Sequence, residues 1–177
     1  MATVVPYPPV PPAQRSDLPP LGPGAVGSIG ARIAARIIDM FVVLVPLSLV
    51  TVLPFVVQTG GAKMVLADQP AWALVVQWVV PVAYETVMVM FFGATIGKFV
   101  MRLRVVRLSD GRLPQPTQAS YRALVPALPA LVALVAPDSI ALLLGPFQTF
   151  IYLTALFNPL FRGLNDRAGG TIVLRSR

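Results

Sequence analysis

"ARIAARIIDMFVVLVPLSLV", Ala31 to Val50, decides the reading of this chain. An apolar run of about 20 residues is long enough, as a helix, to cross the hydrocarbon of a bilayer. Yet Arg36 and Asp39 stand three residues apart in its opening turns. That spacing puts them on one helix face, where they can pair. A charge facing lipid costs roughly 2.5–3.5 kcal/mol on insertion scales. Both side chains therefore need protein or water around them.

The composition says the same of the whole chain. Of 177 residues, 56% are apolar and 12% charged; a soluble domain carries about 25% charged residues. Net charge is +7, but the basic residues lie beside the apolar runs rather than on a soluble face. They read as topology determinants and as contacts to anionic lipids, above all Arg102, Arg104, Arg107 and Arg112. Nucleic acid is not expected as a partner. Without Cys or His, disulfides and histidine proton shuttles are excluded. No nucleophile–base pair or metal-ligand spacing occurs, so neither enzymatic activity, a metal nor a cofactor is expected.

Four spans are readable: Ile33 to Val57, Trp72 to Phe92, a short Tyr121 to Ala136, and Ser139 to Leu160. Each should be helical, because unpaired backbone cannot face hydrocarbon. The third carries Pro126 and Pro129, which favours a kinked or partly re-entrant helix. The fold class expected is an all-α, four-helix transmembrane bundle. Lys98, Arg102, Arg104, Arg107 and Arg112 between spans two and three, with Arg162, Arg167, Arg175 and Arg177 after span four, place both termini in the cytoplasm of a plasma (inner) membrane protein.

Two segments break the helical pattern. In "FVMRLRVVRLSDGRLPQP", Leu103 and Val105 alternate with Arg102 and Arg104 before an Asp110-Gly111 turn. The reading is a strand over Leu103 to Leu108 pairing with Thr171 to Leu174 in a small cytoplasmic sheet; a basic amphipathic helix on the membrane is the alternative. Residues 1–28 hold eight of the 19 prolines, between Pro6 and Pro23, and no basic start with an apolar core. They read as a disordered, proline-rich tail ahead of a membrane domain at 29–177.

Depth arithmetic singles out the intramembrane charges. Asp39 lies about 9 Å inside span one and Glu85 about 10 Å inside span two, from the same end. Arg36, Asp39 and Glu85 therefore form a candidate cluster. One guanidinium can neutralise one carboxylate, and the second then needs an ion, water or a proton. That arrangement fits a cation- or proton-exchanging site; it equally fits a structural tie between two helices. Gln77 and Gln148 are candidates for packing between helices, and Trp72 for an interface anchor. "GATIGK", Gly93 to Lys98, lacks the spacing of a phosphate-binding loop and reads as a sharp helix exit with Lys98 at the headgroups.

Three motifs in this order resemble the RDD family of membrane proteins, named for one arginine and two aspartates. They are "ARIAARIIDMF", with Arg36 and Asp39; "YETVMVMFFGATIGKFVMRLRVVRLSDG", with Tyr84, Glu85, Thr95, Gly97 and Lys98; and "FRGLNDRAGGTIVL", with Asp166, Arg167, Gly170 and Thr171. The resemblance implies the arginine role for Arg36 and the aspartate roles for Asp39 and Asp166. It also implies transport, some members resembling sodium–proton antiporters. Asp166 and Arg167 follow span four at the cytoplasmic surface, where they read as a cation-attracting mouth below Asp39 and Glu85. The competing readings are an Asp166–Arg167 surface pair, and a non-transporting accessory or scaffold subunit of a larger membrane complex. Four short spans enclose little volume, so a conducting unit would be a homo-oligomer.

Overall fold

The computed structural model describes residues 6–58, 70–133 and 150–177. It is mostly helical, with a two-stranded sheet at one end. Helix α1 spans Ile29–Thr51 and opens where the Ser28 hydroxyl accepts from the Ala31 amide, satisfying one of the unpaired donors of its first turn. A short α2, Leu53–Gln58, follows after a one-residue interruption. Pro54 lacks the amide that a continuous helix would direct to Val50. Helix α3, Ala71–Phe92, ends on Gly93, whose φ of 69° is the left-handed conformation that closes a helix.

Helices α1 and α3 are long and apolar enough to cross a membrane. A soluble core helix would be wrapped in protein; here only 17% and 11% of their most apolar windows are buried. Residues such as Phe41, Leu49, Val75 and Phe91 face outward, which in water would be an aggregation surface. Helix α5 runs Pro116–Ala133 and keeps Pro126 and Pro129 within it. It begins five residues before the expected third span, because Pro116 suits the first helical turn. The end of that span, and the first half of the expected fourth from Ser139 to Leu160 together with Gln148, lie outside the described residues.

Strand β1, Leu103–Arg107, pairs antiparallel with β2, Thr171–Arg175, with Val105 opposite Val173. The expected strand pairing is present, and the amphipathic-helix alternative is not. Both faces of the sheet are covered. Leu103, Val105 and Val173 pack with Ala35 of α1, Val89 of α3 and Ala119 of α5. Val106, Ile172 and Leu174, on the opposite face by the two-residue period of a strand, pack with Leu18 and Leu160.

That second face corrects the reading of the proline-rich segment. Residues 6–28 do not run free but lie along the sheet. Val26 bridges to Leu174, Leu18 is buried, and the Tyr7 hydroxyl donates to the Leu108 carbonyl. Burial pushes the Tyr7 hydroxyl up to about 12, with Asp110 adding to the effect. Composition counted the prolines but not the apolar strand face that needed a cover.

Candidate functional site

The remaining short helices bring the site together. Helix α4, Ile96–Val100, packs against α1, and α6, Leu164–Ala168, packs against α5. Gly97 makes the first approach feasible: a Cβ there would collide with the Ala35 carbonyl oxygen and meet Asp39 Cγ at 3.0 Å. Gly97→Ala is therefore expected to destabilise by about 1–3 kcal/mol through overpacking, read as a lower melting midpoint in detergent micelles. Gly30→Ala is the control. It has open space around the missing Cβ and should be neutral or mildly stabilising.

The close contact creates a receptor for Asp39. Its Oδ1 accepts from the Tyr84 hydroxyl at 2.9 Å and from the Gly97 amide at 2.8 Å. Its Oδ2 accepts from the Thr95 hydroxyl at 2.6 Å. Thr95 occupies the N-cap of α4 yet makes no side-chain cap there, because its hydroxyl is committed to Asp39. The Tyr84 oxygen accepts from the Ile96 amide at 2.9 Å, so the motif forms one connected network.

Arg36 does not pair with Asp39, as its spacing had suggested. It donates to Glu85 Oε2 at 3.1 Å, lies over the Tyr152 ring and donates to that hydroxyl. Asp39 has its own donors, so the guanidinium is left for Glu85. Lys98 is also displaced from its expected place among headgroups. It is 8% exposed, and its ammonium reaches Glu85 Oε1 at 3.2 Å. Burial pushes the Lys98 ammonium down to about 8, against the pull of Glu85.

A third cation meets Glu85 from α5. Arg122 Nε stands 3.6 Å from Glu85 Oε1, within ion-pair range but beyond a hydrogen bond. The other end of that guanidinium donates to Asp166 Oδ1 and, at 2.9 Å, to the Thr171 hydroxyl. Arg32 completes a second centre. It donates to Asp166 Oδ2 at 3.1 Å and to the carbonyls of Gly27, Phe161 and Val173. Asp166 is thus buried between Arg32 and Arg122 rather than paired at the surface with Arg167, which is exposed. Its backbone explains the inversion: Asp166 Oδ2 also accepts from the Gly163 amide at 3.3 Å, turning the carboxylate into the start of α6.

Two contiguous centres result, joined by Arg122. A family model for the RDD family matches residues 26–170. The chain belongs to the RDD family. With its two apolar helices, it is a membrane protein. No curated protein and no solved structure matches it. The three residues that the sequence resemblance singled out, Arg36, Asp39 and Asp166, occupy three different sets of partners in this RDD protein. Of the other sequence candidates, Arg107 and Arg112 turn to Asp110, at 2.8 and 3.9 Å. Arg102 and Arg104 line a groove beside the end of α3.

Sequence reasoning missed Arg32, Arg122 and Tyr152. A helical-face signal existed for the first two. Arg32 shares the i, i+3, i+4, i+7 face with Ala35, Arg36 and Asp39, and Ala35 and Asp39 are buried. Arg122 lies on the stripe of Ala119, Ala123 and Ala127, all buried. Gln77 donates to Thr51 at 3.1 Å and Trp78 to the Ala127 carbonyl at 2.9 Å. Both tie α3 to neighbouring helices.

Proposed function

We propose that this RDD protein is a non-transporting membrane scaffold, an accessory subunit of a larger membrane complex, whose buried charges clasp its helices to its sheet. One observation carries this reading: both carboxylates that could serve ion exchange are already taken by the protein's own donors. Glu85 faces Arg36, Lys98 and Arg122, and Asp39 accepts three hydrogen bonds. A transported cation would have to displace these groups. It would also enter a cluster of four cations (Arg32, Arg36, Lys98, Arg122) and three carboxylates (Asp39, Glu85, Asp166), a formal excess of 4 − 3 = +1. Positive charge repels the cargo that sodium–proton exchange requires. We place the sheet end at the cytoplasmic face, because the basic residues gather there, and assign no enzymatic reaction.

Reconstitution separates this from ion exchange. Purified protein in liposomes should dissipate an imposed sodium or proton gradient no faster than protein-free liposomes. In mild detergent it should migrate with a second polypeptide at fixed stoichiometry. Gradient loss above that background, abolished by Asp39→Asn, would overturn the scaffold reading and establish transport.

A further inference from the structure

We infer that the groove at the sheet end of α3 is a binding site for an anionic phospholipid, its phosphate held by Arg102, Arg104 and Arg177 and its acyl chains laid on Phe92 and Phe99. The groove has a volume of about 290 Å³ and is lined by those five residues among others. That is at the small end of ligand cavities, about 300–1,000 Å³, a size for one headgroup rather than a whole lipid. The chemistry of its two sides differs. Three arginines line it, and no Asp or Glu does among the described residues. Beside them, Phe92 and Phe99 meet edge to face at 6.4 Å and are each 52% exposed. Phe92 is the last residue of α3, so the aromatic side continues the outward apolar face of a membrane-length helix.

The backbone holds this arrangement in place. Arg102 adopts a φ of 55°, a left-handed conformation uncommon outside glycine. Its amide donates to the Phe99 carbonyl, and its own carbonyl accepts from Ser176 at 2.8 Å. That last bond fixes the residue next to Arg177 against the groove wall. Two neighbouring basic residues outside the groove, Arg107 and Arg112, face Asp110 instead. A free phosphate ion offers the same anionic oxygens, but the phenyl rings have no role for it.

Native mass spectrometry of the full chain in detergent tests this, with phosphatidylglycerol, phosphatidylcholine or inorganic phosphate added. One phosphatidylglycerol should be retained in preference to phosphatidylcholine. Each of Arg102→Gln, Arg104→Gln and Arg177→Gln should weaken retention by about 5-fold. Arg112→Gln should leave it unchanged. Retention by the unaltered protein should also fall with ionic strength, a reading that needs no variant to fold. Equal retention of the two lipids, salt-independent retention, or full retention in the triple variant would each overturn the proposal. Displacement of the lipid by excess inorganic phosphate would overturn it too, reassigning the groove to a soluble anion.

Discussion

Glu85→Ala should lower folding stability by about 3–5 kcal/mol, the cost of stranding buried charge. Three cations surround that carboxylate, Arg36 at 3.1 Å, Lys98 at 3.2 Å and Arg122 at 3.6 Å. Removing it leaves like charges facing one another where little water can enter. Arg122 retains Asp166, and Arg36 retains the Tyr152 hydroxyl and is partly exposed. Lys98 has no second carboxylate among the described ion pairs. The companion change follows from that asymmetry. Lys98→Met in the Glu85→Ala background removes the most isolated charge at similar volume, and should restore on the order of half the loss. Unfolding in mixed micelles, followed by helical circular dichroism, measures both. A Glu85→Ala cost below about 1 kcal/mol, the worth of an exposed pair, would mean that the cluster is hydrated and no clasp.

The main elements were legible because their signals are local. Apolar length gave α1 and α3, and alternation with β-branching gave the pairing of β1 with β2. Depth arithmetic brought Arg36, Asp39 and Glu85 to one level. Their partners were not legible, since these depend on how closely two backbones approach. The absent Cβ of Gly97 lets α4 reach Ala35, which delivers the Gly97 amide to Asp39 and turns Lys98 inward. A sequence shows the glycine but not the carbonyl it makes room for. The same limit hid Arg32 and Arg122. Both flank apolar runs, the place where topology signals are expected, and nothing local separates a basic residue facing headgroups from one facing a carboxylate of another helix. The tail failed for a complementary reason. Its prolines prevent a helix, but Leu18 and Tyr7 needed only a surface, and the second face of the sheet supplied it.

These partners also alter what Asp39 and Asp166 can be expected to do. Asp39 binds polar groups of α3 and α4, which fixes the helix exit. Asp166 binds cations from α1 and α5, which fixes the sheet. The two carboxylates are therefore not interchangeable members of one ion path. Loss of Asp39 should loosen the bend after α3, whereas loss of Asp166 should act on the opposite side of Arg122.

Asp166→Ala should accordingly release the sheet while leaving α1 and α3 helical. The substitution removes the acceptor of Arg32 and Arg122, which also donate to the Val173 carbonyl and the Thr171 hydroxyl of β2. One buried guanidinium then lacks a counter-charge and a second loses its shorter partner, a loss of about 3–5 kcal/mol. Arg122 can fall back on Glu85, at 3.6 Å, but Arg32 keeps only carbonyl acceptors. The damage should therefore concentrate where Arg32 works, at the junction of Gly27, Phe161 and β2. Limited trypsin digestion in micelles reads this directly, because Arg162, Arg167 and Arg175 lie in or beside the segment that would loosen. Cleavage there should accelerate by more than 10-fold, the least that a local opening cost lowered by about 1.4 kcal/mol would produce. Asp166→Asn, which keeps the shape and one acceptor oxygen but no charge, should fall between the two. If Asp166→Asn instead matches the unaltered protein in cleavage rate, the negative charge at this position does not hold the sheet, and hydrogen-bond geometry alone does.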